Sequence, residues 1–242
     1  MRQLITDKKL LYLLEEIEQI LGSISLEIMP HDHRAVARCS MQFDPRKGWI
    51  LLYIPESETS QATLCHELAH LVLLIEGWPA FKIDSPLPKS DYYRQTMSML
   101  TNLVLHIDVW EMVRKLGFDE RPDYQPDQDY LISQIQDSCY LWNGRPQDIQ
   151  SCRAANIAQG LLCPSEEAAR KQLRTAADKT MPEALGLADS IIHIFDRLSP
   201  LSPKASAEAL SEICGLLKIH RGMLTAIWPD THRPNFRNRF FT

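Results

Sequence analysis

The chain has 242 residues, 45% hydrophobic and 24% charged, with 9 Gly and 15 Pro, which excludes fibrous and disordered classes and fits one large or two small globular domains. Its net charge of −5 leaves no basic footprint for nucleic acid: residues 1–120 hold 12 basic and 17 acidic groups, and residues 121–242 hold 14 of each. The cysteines at 39, 65, 139, 152, 163 and 214 have neither zinc-ribbon spacing nor the density of a disulfide-stapled domain, so reduced thiols are expected.

The opening stretch Met1–Lys9 carries charge where a secretory signal needs an apolar run, which predicts a cytoplasmic location. No run approaches the roughly 18 apolar residues of a membrane span. Leu4, Leu10, Leu11, Leu14, Ile17, Ile20 and Leu21 then recur at helical spacing up to Gly22 and predict an amphipathic helix. From residue 24 the period changes to two. Strands are expected over 24–28, 36–43 and 49–54, the last two joined by a hairpin turn at 44–48, giving a small antiparallel sheet.

A helix follows over about 59–76, stopped by Gly77 and Pro79, then a Pro-containing loop at 83–89 and a long helix over 90–116 stopped by Gly117. After a loop at 118–127 only helical patterns are expected: 127–142, 147–161, 165–178, 182–198, 203–219 and a short one at 221–228. The tail Arg233–Thr242 interleaves arginines with aromatics and reads as a segment packed on its own domain or frayed, with a partner or nucleic-acid contact as the alternative. This order predicts an α+β domain over 1–120 and a helical extension or domain over 121–242.

The chemistry is carried by His66-Glu67-Leu68-Ala69-His70, an HExxH pattern. Residues four apart on a helix share a face, so two imidazoles can take neighbouring corners of a zinc tetrahedron, while Glu67 lies beside the ion as general base. With 8 His in the chain, this pattern is expected by chance only roughly 0.02 times. Its neighbours are apolar on every side, and burying two His and a Glu there without a polar partner would cost several kcal/mol. Metal binding removes that cost.

The segment from the strands through His66–His70 resembles the zincin metallopeptidases, in particular the small gluzincin-like domains of the ImmA/IrrE family. The resemblance covers roughly residues 1–120. It implies a zinc endopeptidase with an N-terminal helix, a short sheet, a HELxH helix and a second helix that adds the remaining ligand, often acting on a regulatory protein inside a bacterial cell. HExxH is its diagnostic element; the rest is carried by the order of elements.

For the third ligand, Glu76 lies too far along the same helix. The next helix offers Asn102, His106, Asp108 and Glu111. Asp108, Glu111 and Lys115 fall on one solvated stripe, whereas His106 shares its side with Met99, Asn102, Leu103, Val109, Trp110 and Val113, and is the first choice, with Asn102 one turn away to orient a ligand, line the cleft or pack the helix. Asp108 and Glu111 remain alternatives, followed by Asp84, Asp91 or a residue of the extension. A His here departs from the gluzincin pattern, whose third ligand is a Glu. Oxyanion donors are sought among Tyr92, Tyr93, Tyr124 and His193. Cys65 reads as an apolar filler, and His31 and His33 as part of a solvated turn.

The sequence therefore predicts a cytoplasmic zinc metallopeptidase acting on a protein or peptide substrate. As the resemblance to zincins implies, peptide is expected to add along an edge strand formed by residues 48–54; a regulatory protein partner is expected to be recruited by the helical half. The rival readings are a non-catalytic zinc-binding interaction module and a toxin or defence effector protease held inactive by a partner.

Overall fold

Asp7 starts the first helix, α1 (Lys8–Leu21): its carboxylate accepts from the backbone N–H groups of Lys9 (2.7 Å) and Leu10 (3.2 Å). Leu10, Leu13, Leu14 and Ile17 repeat at three- and four-residue steps and are fully buried. The computed structural model describes residues 3–29, 40–44, 49–55, 60–83, 91–136, 146–199, 201–219, 224–230 and 232–241.

Three strands follow: β1 (Ile24–Met29), β2 (Ser40–Asp44) and β3 (Trp49–Pro55). β2 and β3 pair antiparallel from Ser40 opposite Tyr53 to Asp44 opposite Trp49, as the hairpin expectation requires, although most of the 44–48 turn lies outside the described residues. β1, however, pairs parallel with β3, from Ile24 opposite Ile50 to Met29 opposite Pro55. The expected antiparallel sheet is therefore mixed, because a period of two fixes which residues alternate and says nothing of strand direction. The order β1-β3-β2 puts β3 (Trp49–Pro55) in the centre with both its edges used, so it is no edge strand, contrary to the expectation for residues 48–54; among the described residues β1 and β2 are the outer ones.

Ser60 caps α2 (Gln61–Ile75), its hydroxyl accepting from the Thr63 N–H at 2.9 Å. Gln61 ties the N-terminal segment to this helix: its amide donates to the Leu4 carbonyl at 2.9 Å and its carbonyl accepts from the N–H groups of Thr6 and Asp7. Leu64, Cys65, Leu68, Ala69, Leu71 and Val72 are all fully buried, so α2 is apolar on every face and forms the centre of its unit.

After β4 (Ala80–Ile83), α3 spans Asp91–Leu116. Its end is a Schellman motif: the Phe118 N–H donates to Val113 O (3.2 Å) and the Gly117 N–H to Arg114 O (3.0 Å), with Gly117 at φ +91. Only glycine adopts that left-handed backbone at little cost, and the turn it makes sets the path of Phe118–Glu120.

The remaining helices are α4 (Arg121–Gln136), α5 (Pro146–Leu162), α6 (Glu167–Thr180), α7 (Pro182–Leu198) and α8 (Pro203–Leu216). α4 begins six residues before the expected 127: Pro122 lies in its first turn, where a missing N–H costs nothing, and the helix tolerates Pro126 one turn later. Gly160 lets α4, α5 and α6 close together, since a Cβ there would lie 2.7 Å from Leu173 and 2.8 Å from Leu131. The short helix expected at 221–228 is instead a strand, β5 (Leu224–Ile227), antiparallel to β4. The C-terminal half is thus not all-helical. In so short a run as Leu-Thr-Ala-Ile, β-branched Thr225 and Ile227 suit a ladder when a partner strand is present.

These elements give an α+β protein with two small sheets among the described residues. Its chain divides into two compact units. One comprises Met1–Gly77, Glu111–Glu120 and Pro229–Thr242, the other Trp78–Trp110 and Arg121–Trp228. The expectation of a boundary near residue 121 thus meets an interleaved partition, in which α3 belongs to the second unit up to Trp110 and to the first from Glu111. In the first unit a 3-10 turn (Phe236–Arg239) packs against α2, with Phe236 and Phe241 buried. Arg237 pairs with Glu76, and Arg239 with Glu16 at 2.6 Å. The second unit is a helical bundle in which α5 packs on α6 and α7, α4 on α5 and α6, and α7 on α8. No described helix is long and apolar enough to cross a membrane.

Cys65, Cys152, Cys163 and Cys214 are all buried thiols. Burial pushes the Cys152 thiol up to about 11 and the Cys163 thiol up to about 12, so neither is a thiolate at neutral pH. In the native protein at pH 8, a thiol-reactive disulfide reagent is expected to leave these four unlabelled for hours and to modify them all within minutes in guanidinium chloride. Site-resolved mass spectrometry checks this; rapid native labelling at Cys152 or Cys163 would contradict it.

Candidate metal centre

Helix α2 places His66 and His70 one turn apart, and their rings meet edge to face with centroids 5.0 Å apart. The two Nε2 atoms lie 3.2 Å from each other. Two neutral imidazoles can hold at most one hydrogen between facing nitrogens, so such a pair either shares an N–H or shares a cation. Two histidines bonded to one zinc at about 2.0–2.1 Å with a tetrahedral angle have their nitrogens about 3.3 Å apart. The observed separation matches that edge.

One ligand atom each of His66, His70 and His106 lies within 4.8 Å of the others, so these three residues form a group that could hold a metal ion. An all-imidazole donor set suits a divalent transition metal. Trp110, one turn on from His106, rests against its ring at 5.4 Å and donates its indole N–H to the Tyr124 hydroxyl at 2.9 Å.

The electrostatics favour neutral ligands. His70 is only partly exposed and densely surrounded; burial, reinforced by neighbouring His66, holds it well below the ordinary imidazole value, so it needs no deprotonation at neutral pH to offer a lone pair. Glu67 is 5% exposed. Burial and then the nearby Glu120 carboxylate push it up to about 8 in the metal-free protein. A divalent charge beside it would act in the opposite sense and favour the carboxylate.

Of the other candidates, Glu111 is committed to the solvent face of α3, where it pairs with Arg114 at 2.8 Å and Lys115 at 3.7 Å. Neither Glu111 nor Asp108 belongs to the three-residue group. Asn102 and His193 are exposed on their helices. Tyr93 is buried and its hydroxyl has no hydrogen-bond partner among the described residues; Tyr92 is half-buried. Cys65 is a buried apolar neighbour of His66. Glu76 binds Arg237, in keeping with its distance along α2. Asp84, His31 and His33 lie outside the described residues, as does the side chain of Asp91.

One residue at the centre escaped sequence reasoning. Glu120, 5% exposed, places its Oε1 2.7 Å from His66 Nδ1, on the ring nitrogen that does not face His70. Only a lone carboxylate after a helix stop marks it in the sequence. Comparison of the chain with protein-family models, with curated proteins and with solved structures gives no match.

Proposed function

We propose that this chain is a zinc-dependent metallopeptidase that cleaves a protein substrate, in keeping with the zincin resemblance of its HExxH segment. The observation that carries the reading is the 3.2 Å approach of His66 Nε2 and His70 Nε2 on a helix that also buries Glu67 between them in sequence. His66, His70 and His106 would hold the ion. When bound, zinc polarises a peptide carbonyl and lowers the pKa of a water molecule towards neutrality.

The chain's own residues do the rest. Glu67 accepts the proton of the attacking water and delivers it to the departing amine, a role that suits a carboxylate placed beside the ion rather than on it. Its apolar neighbours on α2 keep bulk water from competing for that proton. An extended peptide would add at β1 or β2, since β3 has no edge to offer. An intracellular regulatory protein is the substrate class this reading carries, with the helical half as the part that engages a partner.

Protein purified without chelators is expected to contain one zinc per chain and to cleave an unfolded polypeptide. Stripping the metal should abolish cleavage, and stoichiometric zinc should restore it. Elemental analysis beside the cleavage assay decides. Native protein without metal, or cleavage indifferent to chelation, would overturn the reading.

A further inference from the structure

Glu120 takes no part in the chemistry above, yet it is a buried carboxylate, and burying one is costly unless its surroundings return the energy. Its position is fixed from both sides. The Schellman turn at Gly117 ends α3 three residues before it, and α4 starts at the next residue. Within that short connection Oε1 reaches His66 Nδ1 at 2.7 Å.

With Glu120 as a carboxylate, which only accepts, the hydrogen of this 2.7 Å contact lies on Nδ1 and His66 donates it. The hydrogen bond made by one ring nitrogen decides the state of the other. In a neutral ring, Nε2 is then left with its lone pair, and Nε2 is the atom that faces His70 at 3.2 Å. The same bond fixes the ring plane.

We infer that Glu120 is a positioning residue of the metal centre: it selects the His66 tautomer whose Nε2 can bind an ion, and holds that ring in the binding orientation. The inference rests on the metal site proposed above. A purely structural ion pair would instead need His66 doubly protonated, which takes away the lone pair required for an ion. Carboxylate partners of this kind are typically worth 10- to 100-fold in metal affinity.

The test uses the full chain with zinc as the probe. Zinc affinity is measured by competition with a chromophoric chelator, and the His66 ring N–H is followed by proton–nitrogen NMR in the zinc-loaded protein. Glu120→Ala is expected to bind zinc 10- to 100-fold more weakly and to lose the protected Nδ1–H signal. Glu120→Gln, whose amide oxygen can still accept from Nδ1–H, should fall between Ala and the native protein. Loss of packing alone would lower the melting temperature and leave that signal in place.

If Glu120→Ala does not fold, as judged by circular dichroism, the isosteric Gln variant carries the test. Affinities within twofold of native, with the Nδ1–H signal unchanged, would overturn the role of Glu120. His66→Ala serves as the control. If it loses zinc while the Glu120 variants keep it, only the positioning role fails; if it retains native affinity, the metal site fails and takes the positioning role with it.

Discussion

The Glu67→Gln protein is expected to retain its zinc and lose about 1,000-fold in kcat/KM against a protein substrate. Gln matches Glu in shape, so the packing of α2 is kept. Its amide cannot take a proton from water, so the loss falls on the chemical step rather than on metal content. The substitution also tests the electrostatics. In the metal-free protein the Glu67 carboxyl is raised from 4.5 to about 8, so between those values the folded state holds a proton that the unfolded state has released. That group therefore makes metal-free native protein progressively less stable as pH rises from about 4.5 to 8.

Glu67→Gln removes this dependence. Metal-free variant and native protein should have similar melting temperatures at pH 5, and the variant should be the more stable of the two at pH 8. Steady-state kinetics, elemental analysis and thermal melts at the two pH values are the measurements. Undiminished cleavage by Glu67→Gln would remove Glu67 from the mechanism, and an unaltered biological effect without cleavage would favour a non-catalytic interaction module.

The second large effect is expected far along α2 from the imidazoles. Arg237→Ala should destabilise the first unit by about 3 kcal/mol, lowering its melting temperature by about 10 °C. The Glu76 side chain is only 7% exposed, and it accepts from both the guanidinium and the backbone N–H of Arg237, the latter at 2.8 Å. Removing the guanidinium leaves a buried carboxylate with the backbone contact but without its cation. Pairing Arg237→Met with Glu76→Gln should recover most of the loss, because the replaced pair is neutral and keeps its volume. Equal melting temperatures for Arg237→Ala and native protein would show that solvent reaches Glu76 after all, and a double-mutant cycle would then give no coupling.

Some of this molecule is written locally in its sequence. His66 and His70 are legible because a helix of 3.6 residues per turn brings i and i+4 together wherever it lies, and His106 because its helical phase separates it from the Asp108 and Glu111 stripe. The hairpin of β2 and β3 is likewise a contact between neighbours in the chain. What escaped was distant pairing. β1 chose β3 in parallel although the next strand is β2, and β5 became a strand through β4, which no short-range pattern in Leu224–Ile227 indicates. Glu120 reaches His66 across 54 residues as a single side chain with no periodicity to announce it.

The clasp between Arg237 and Glu76 joins residues 161 positions apart, and Arg239 ties the same segment to Glu16 on the first helix. During synthesis at about 5–20 residues per second, the helix bearing His66 and His70 waits on the order of ten seconds or more for that clasp to leave the ribosome. Helices α4 to α8 have all been made by then. The nascent first unit is thus completed only after translation of the bundle, when Phe236–Arg239 can pack against α2 and Arg237 can reach the buried Glu76 carboxylate.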